Sequence, residues 1–207
     1  MVTIQEIGFV RMYVSIRLDN GELYWLHKND FPMCGFEEGS EYETDAFMEK
    51  IRICQYPRAL NHAVSMLARR PYSKKEIVTR LLHLRYTDEV TGLVIYKLEK
   101  ENLIDDQSFC DQWIRFRLEK RFGPSVIHRE LRAKGIPENV IQESFNALDS
   151  ETELKNAFSL AEKAWKRIDS GNNIYSNRQK VRSFLVRKGY DWDTACAACK
   201  AAEDSIK

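Results

Sequence analysis

No apolar run in this chain of 207 residues approaches the roughly 18 residues that a membrane-spanning helix needs. No basic-then-apolar leader opens it, so a cytoplasmic protein with no membrane partner is expected. Catalytic motifs are equally scarce. The four histidines, His27, His62, His83 and His128, have neither HExxH nor HxH spacing. There is no glycine-rich phosphate loop and no GxSxG elbow. The five cysteines are an odd number, which argues against a disulfide framework, and Cys34, Cys54 and Cys110 stand alone. Cys196 and Cys199 have CxxC spacing, but one such pair supplies only half of a structural zinc site. The chain is therefore read as a non-enzyme with no metal and no cofactor.

What is present is apolar and charged in good measure. An apolar share of 43% supports a real core, and 30% of the residues are charged. Lys+Arg 32 against Asp+Glu 31 hides an uneven distribution. Residues 1–56 carry 5 basic and 10 acidic side chains, residues 57–104 carry 9 and 5, residues 105–150 carry 7 and 8, and residues 151–207 carry 11 and 8. An acidic head on a locally basic body points to polar partners.

The stretch from Leu103 to Leu148 reads as three helices. Asp105 and Asp106 suit the start of the first, where carboxylates meet the positive end of the helix dipole. Phe109, Trp113 and Phe116 recur at helical spacing, so Trp113 is expected to be buried on one apolar face. Gly123-Pro124 starts the second helix, Gly135 supplies a left-handed stop, and Pro137 starts the third. Ile127, Leu131, Val140, Ile141, Phe145 and Leu148 are the inward positions.

This unit occurs three times. Moving back by 50 positions carries Ile127, Leu131, Ile136, Val140, Phe145 and Leu148 onto Ile77, Leu81, Tyr86, Val90, Ile95 and Leu98. Moving forward by 54 carries them onto Val181, Leu185, Tyr190, Thr194, Cys199 and Ala202. A period near 50 means a stacked helical array, against the alternative of three unrelated helical hairpins. In the first copy Arg85 stands where the later copies have Gly135 and Gly189, so that turn needs a costlier residue or another geometry.

The predicted class is mainly α, with tandem three-helix repeats and a small N-terminal β-hairpin element. Residues 1–56 form that element, with Phe9–Leu18 and Glu22–His27 as strands about Asp19-Asn20-Gly21, Val2–Ile7 as a further strand, and a short helix over 44–54. Tyr56-Pro57 breaks the pattern. Repeat 1 spans 57–104, with helices at Ala59–Arg70, from a Ser73/Glu76 capping box to Leu84, and over Asp88–Glu101. Repeat 2 spans 105–149. Repeat 3 spans 150–207, with helices at Glu151–Ile168, Tyr175–Lys188 and Asp191–Glu203 about a loop at 170–173.

Basic side chains recur beside the repeat turns. Arg69, Arg70, Lys74 and Lys75 flank the first. Arg115, Arg117, Lys120 and Arg121 line the opening helix of repeat 2, and Arg129, Arg132 and Lys134 its second helix. Arg182, Arg187 and Lys188 lie on the equivalent helix of repeat 3, with Lys188 in register with Lys134. Stacked repeats put equivalent exposed residues in rows, and a basic row can follow a phosphate backbone or an acidic protein groove. Glu119 and Glu130 among them keep an ordinary solvated face as the competing reading.

Five motifs in this order resemble the RecX regulatory proteins: ARRPYSKKE at 68–76, LIDDQSF at 103–109, RFGP at 121–124, ELRAKGI at 130–136 and FLVRKGY at 184–190. The resemblance covers about residues 57–204 and implies an elongated, curved array of three-helix repeats. It further implies a partner, the RecA filament, whose growth and recombinase, ATPase and co-protease activities such proteins limit. A monomer is expected, and weak non-specific DNA contact stays open. The alternative is a DNA-binding protein with helix-turn-helix-like repeats. Its reading faces would be Lys74-Lys75, Ser125 to His128 and Asn177-Arg178-Gln179, of which only the last suits base readout. A CxxC thiol enzyme is a third, weaker idea.

Overall fold

The computed structural model describes residues 1–147, 150–168 and 173–206. They form two compact units, Met1–Asp105 and Asp106–Lys207.

The first unit opens with strands β1 (Val2–Val10), β2 (Tyr13–Leu18), β3 (Leu23–His27) and β4 (Glu41–Tyr42), arranged as one antiparallel sheet in the order β3-β2-β1-β4. Alternation sets its buried face: Val14, Ile16 and Leu18 are buried while Ser15 and Arg17 turn away. The strand expected over Phe9–Leu18 is two strands, because Arg11 takes a left-handed φ of 54° and turns the chain. Asn20-Gly21 makes the second turn as its sequence suggests; Gly21 has φ 87° and the Asn20 carboxamide accepts from the Glu22 amide at 2.9 Å. The sheet packs through Val2, Ile4, Ile16, Leu18 and Leu26 on Phe36, Phe47 and Ile51.

Phe47 and Ile51 belong to α1, which runs unbroken from Thr44 to Leu67 and passes through Pro57. The expected break at Tyr56-Pro57, and the separate helices on either side of it, are therefore corrected. Proline at 57 removes the amide that would bond to the carbonyl of residue 53. Ile53 is 60% exposed, so that carbonyl lies on the wet side of the helix and water can take the lost bond. The first half of α1 serves the sheet; the second half, with α2 (Lys74–His83) and α3 (Asp88–Lys100), builds a core of Ala59, Ala63, Ile77, Leu81, Val90, Val94 and Leu98. The capping box forms as read, with the Glu76 amide donating to Ser73 Oγ and the Ser73 amide to Glu76 Oε2, each at 3.2 Å.

No sequence signal pointed to Gln55. It is 3% exposed, and its carboxamide donates to the Trp25 carbonyl at 2.8 Å while accepting from the Thr87 amide at 3.0 Å. One side chain thus joins strand β3 to the start of α3. Cys34 and Cys54, read as solitary, are joined in a disulfide. Twenty residues separate them in the chain, and tertiary packing of the Phe31–Met33 turn on α1, which no spacing rule reveals, brings their Cα atoms to 6.5 Å.

The second unit holds α4 (Asp106–Glu119), α5 (Pro124–Ala133), α6 (Glu138–Asn146), α7 (Ser150–Trp165), α8 (Ile174–Lys188) and α9 (Trp192–Ile206). Phe109, Cys110, Ile114, Ile127, Leu131, Ile136 and Ile141 form one core. Ala157, Ala161, Val181, Leu185, Tyr190, Ala195, Ala198, Cys199 and Ala202 form the other. The apolar register weakens in the last copy for a physical reason: α7 meets α9 through alanines and a cysteine, and small side chains let two helices lie close. Cys199 is thus a core residue, and burial pushes its thiol up. Leu148 and the loop expected at 170–172 fall outside the described residues.

Five helices of the described residues end in one geometry. The left-handed residue is Arg85 (φ 68°), Asn102 (54°), Arg121 (58°), Gly135 (80°) or Gly189 (99°). In each case the following amide donates back five residues: Tyr86 to Leu81, Leu103 to Leu98, Phe122 to Arg117, Ile136 to Leu131 and Tyr190 to Leu185. These are Schellman turns, and the Arg85 question is settled by strain at a non-glycine residue, not by a new geometry.

Candidate functional site

Four of the twelve basic candidates lie in the first unit. Arg69 is exposed. Arg70 stacks on Tyr72 with its guanidinium carbon 3.6 Å from the ring centre, and pairs with Glu76 at 3.4 Å. Lys74 pairs with Glu99 at 2.6 Å, and Lys75 is exposed.

The other eight lie in the second unit. Arg115, Arg129 and Arg187 are exposed, and Arg132 is exposed with Glu138 at 3.9 Å. Arg117 turns inward: it pairs with Glu130 and lies 3.7 Å from the centre of the Phe122 ring. Lys134 and Lys188, equivalent by sequence, are treated alike by the fold. The Lys134 ammonium lies 4.1 Å from the Trp113 ring and that of Lys188 lies 4.5 Å from Phe122. Both are only partly exposed, so each cation is held at the surface by an aromatic face.

Trp113 itself is half-buried, not buried as its spacing suggests, and Phe116 is 47% exposed. The inward face of α4 is Phe109, Cys110 and Ile114. Trp113 stacks on Phe109 and donates its indole N–H to Glu130 Oε2 at 3.1 Å. It forms the border between core and surface.

Where α4 ends beside α7 and α8, a groove of about 600 Å³ opens. Its floor is apolar, from Leu160, Ala164, Ile168, Val181 and Phe184. Lys120, Arg121, Lys163, Arg167, Lys180 and Lys188 surround it, and Glu119 is its one carboxylate. Lys163, Arg167 and Lys180 were missed by reasoning from equivalent repeat positions. Lys163 and Arg167 are four apart in the chain, a spacing that could have revealed a shared face.

Backbone contacts hold that corner of the unit. The Gly123 amide donates to the Lys188 carbonyl at 2.8 Å, and the Ser125 amide to the Gly189 carbonyl at 3.0 Å. Tyr190 Oη donates to the Arg121 carbonyl at 3.2 Å, and burial raises its pKa to about 12. A Cβ on Gly123 would lie 2.3 Å from the Gly189 carbonyl carbon. Glycine at 123 is thus required by the approach of two backbones.

The base-reading alternative loses its best face. Asn177 is buried, and Arg178 forms a two-point pair with Glu203 at 2.7 and 2.9 Å. His128 is engaged by Glu138 at 2.7 Å. Among the described residues no three of His, Cys, Asp and Glu gather as a metal site would need, and no helix is long and apolar enough to cross a membrane.

Residues 105–144 match the model of the RecX second three-helix domain, and residues 151–199 that of the third. A curated relative, the regulatory protein RecX of Prosthecochloris aestuarii, is 33% identical over 140 residues, covering 66% of this chain and 88% of its own. The chain belongs to the RecX family. Another regulatory protein RecX, from Bacillus cytotoxicus, is 27% identical over 195 residues, covering 93% of this chain and 72% of that one. Two crystal structures share the fold. One, of a regulatory protein RecX, gives a TM-score of 0.65 at 22% identity over 94% of this chain and 97% of the other. The second, RecX from Lactobacillus salivarius, gives 0.66 at 23% over 72% and 96%.

Proposed function

We propose that this chain is a non-catalytic, cytoplasmic regulator that binds the RecA nucleoprotein filament and lowers its recombinase, ATPase and co-protease activities. Membership of the RecX family carries the reading. The relatives bear the name regulatory protein. The chain acts as a monomer whose repeats, divided near residues 57, 105 and 150, each offer basic side chains to the filament.

The exposed members of the basic set support this. Arg115, Arg129, Arg132 and Arg187 project from the second unit with most of their charge in water. Such charges mainly raise association rates and fix orientation, and salt screens them. Lys134 and Lys188 are less suitable targets for charge reversal, since an acid there would face an aromatic ring.

The test is co-sedimentation with RecA filaments formed on single-stranded DNA. The parent should sediment with filaments. Replacing Arg115, Arg129, Arg132 and Arg187 with Glu should weaken binding at least about tenfold at low salt, while the melting temperature stays within a degree or two. Full binding by that variant would remove these four residues from the interface. No binding by the parent would overturn the reading itself.

A further inference from the structure

We infer that the groove bounded by α4, α7 and α8 is a binding site for the phosphate backbone of single-stranded nucleic acid. Six cations line it against one carboxylate, Glu119. Among the described residues none of the six forms an ion pair, whereas Arg70, Lys74, Arg117 and Arg178 are each matched to a glutamate. Six like charges gathered in this way repel one another, and an incoming polyanion relieves that repulsion.

The chemistry of the walls selects the ligand class. Lys120, Lys163, Arg167 and Lys180 are exposed, so they reach a ligand without disturbing the core. Lys188 is propped on Phe122, and Arg121 is fixed by its place in a Schellman turn whose carbonyl is bonded to Tyr190. The floor is apolar and carries Phe184, a face on which a base can stack. A cationic groove with an aromatic floor is what strand binding without sequence preference requires. An acidic polypeptide would satisfy the cations but make no use of that floor. Four of the six cations are lysines, which bind phosphate as point charges, so binding with little sequence preference is expected.

This site stands apart from the filament reading, since its ligand is DNA alone. The experiment is fluorescence-anisotropy titration of a labelled oligo-dT of about 20 nucleotides, longer than one site of this kind needs. It uses the full chain at salt from about 50 to about 200 mM. The parent should bind with a steep salt slope. Replacing Lys163, Arg167 and Lys180 with Ala should weaken binding at least about tenfold at the lowest salt and reduce the slope by about 2, at roughly 0.7 per phosphate contact. A charge-matched control, with Lys28, Lys100 and Lys200 replaced by Ala, should bind within about twofold of the parent. Both variants should melt like the parent, since all six residues are exposed. Equal loss in both variants would show only net charge at work and would overturn the groove. So would undetectable binding of DNA by the parent. Poly-glutamate competing as well as oligo-dT would assign the groove to an acidic protein instead. Filament co-sedimentation of the groove variant, run in parallel, separates failure of this site from failure of the filament reading.

Discussion

The turn at Arg85 and the turn at Gly189 have the same hydrogen bonds and the same left-handed residue, yet different neighbours. At Gly189 the backbone of repeat 2 lies against the turn, and a Cβ would come 2.7 Å from the Val126 amide nitrogen. Nothing but glycine fits there. At Arg85 the side chain makes a contact of its own, with its guanidinium carbon 3.6 Å from the Trp25 ring centre on strand β3. Its carbonyl also accepts from Gln55 at 3.4 Å. A cation stacked on an aromatic face contributes about 0.5–2 kcal/mol, which offsets the roughly 1–2 kcal/mol that a left-handed L-residue costs. The first unit therefore joins its repeat to the sheet through side chains, while the second joins its two repeats through bare backbone.

That difference can be broken at chosen positions. The largest effect should come from Gly123→Ala. Its Cβ would overlap backbone that cannot move aside, so a loss of at least about 3 kcal/mol is expected in urea denaturation. Gly135→Ala is the matched comparison, a left-handed glycine at an ordinary helix end, and should lose about 1–2 kcal/mol. If the two cost the same, close backbone approach is not what couples repeats 2 and 3.

Trp113→Ala should cost about 2 kcal/mol, below the 3–5 kcal/mol range of a fully buried aromatic, because one edge of the ring is already in water. A loss in the full range would restore Trp113 to the core. Asp191→Ala tests a cap of repeat 3. The Asp191 carboxylate accepts from the Thr194 amide and hydroxyl, each at 2.8 Å, and these bonds hold its pKa below the usual value. A lowered pKa means stability present above about pH 4 and lost as pH falls through the folded value. The variant should thus lose about 1 kcal/mol at pH 7, with the gap narrowing in acid. A gap independent of pH would show that the carboxylate charge is immaterial. The smallest effects should be at the left-handed arginines: Arg121→Gly relieves its strain and should stabilise by about 1 kcal/mol, whereas Arg85→Gly relieves the same strain but loses the stacking on Trp25, so its stability should stay within about 1 kcal/mol of the parent.

Much of the fold was legible because helical periodicity is written locally. Ile77, Leu81, Val90, Ile127, Leu131, Val181 and Leu185 all proved buried at the positions that the offsets of 50 and 54 assign. The failures share one cause: they depend on residues far apart in the chain. Pro57 signals a break unless one knows that residue 53 faces water. On α4, Phe109-Trp113-Phe116 and Cys110-Ile114 are adjacent stripes, and periodicity alone favours the aromatic one, although packing chose Ile114. Of the candidate surface, the match of Lys134 with Lys188 was visible. The basic groove was not, since it gathers side chains from three helices at positions that are not equivalent in the repeats.

The most direct test of the regulatory reading is the ATPase activity of RecA on single-stranded DNA, measured while this protein is added to preformed filaments and to RecA that is still assembling. A progressive loss of ATPase is predicted in both cases, greater during assembly, and little loss with Arg115, Arg129, Arg132 and Arg187 replaced by Glu. ATPase that stays at its starting level as the parent protein rises past saturation would contradict it.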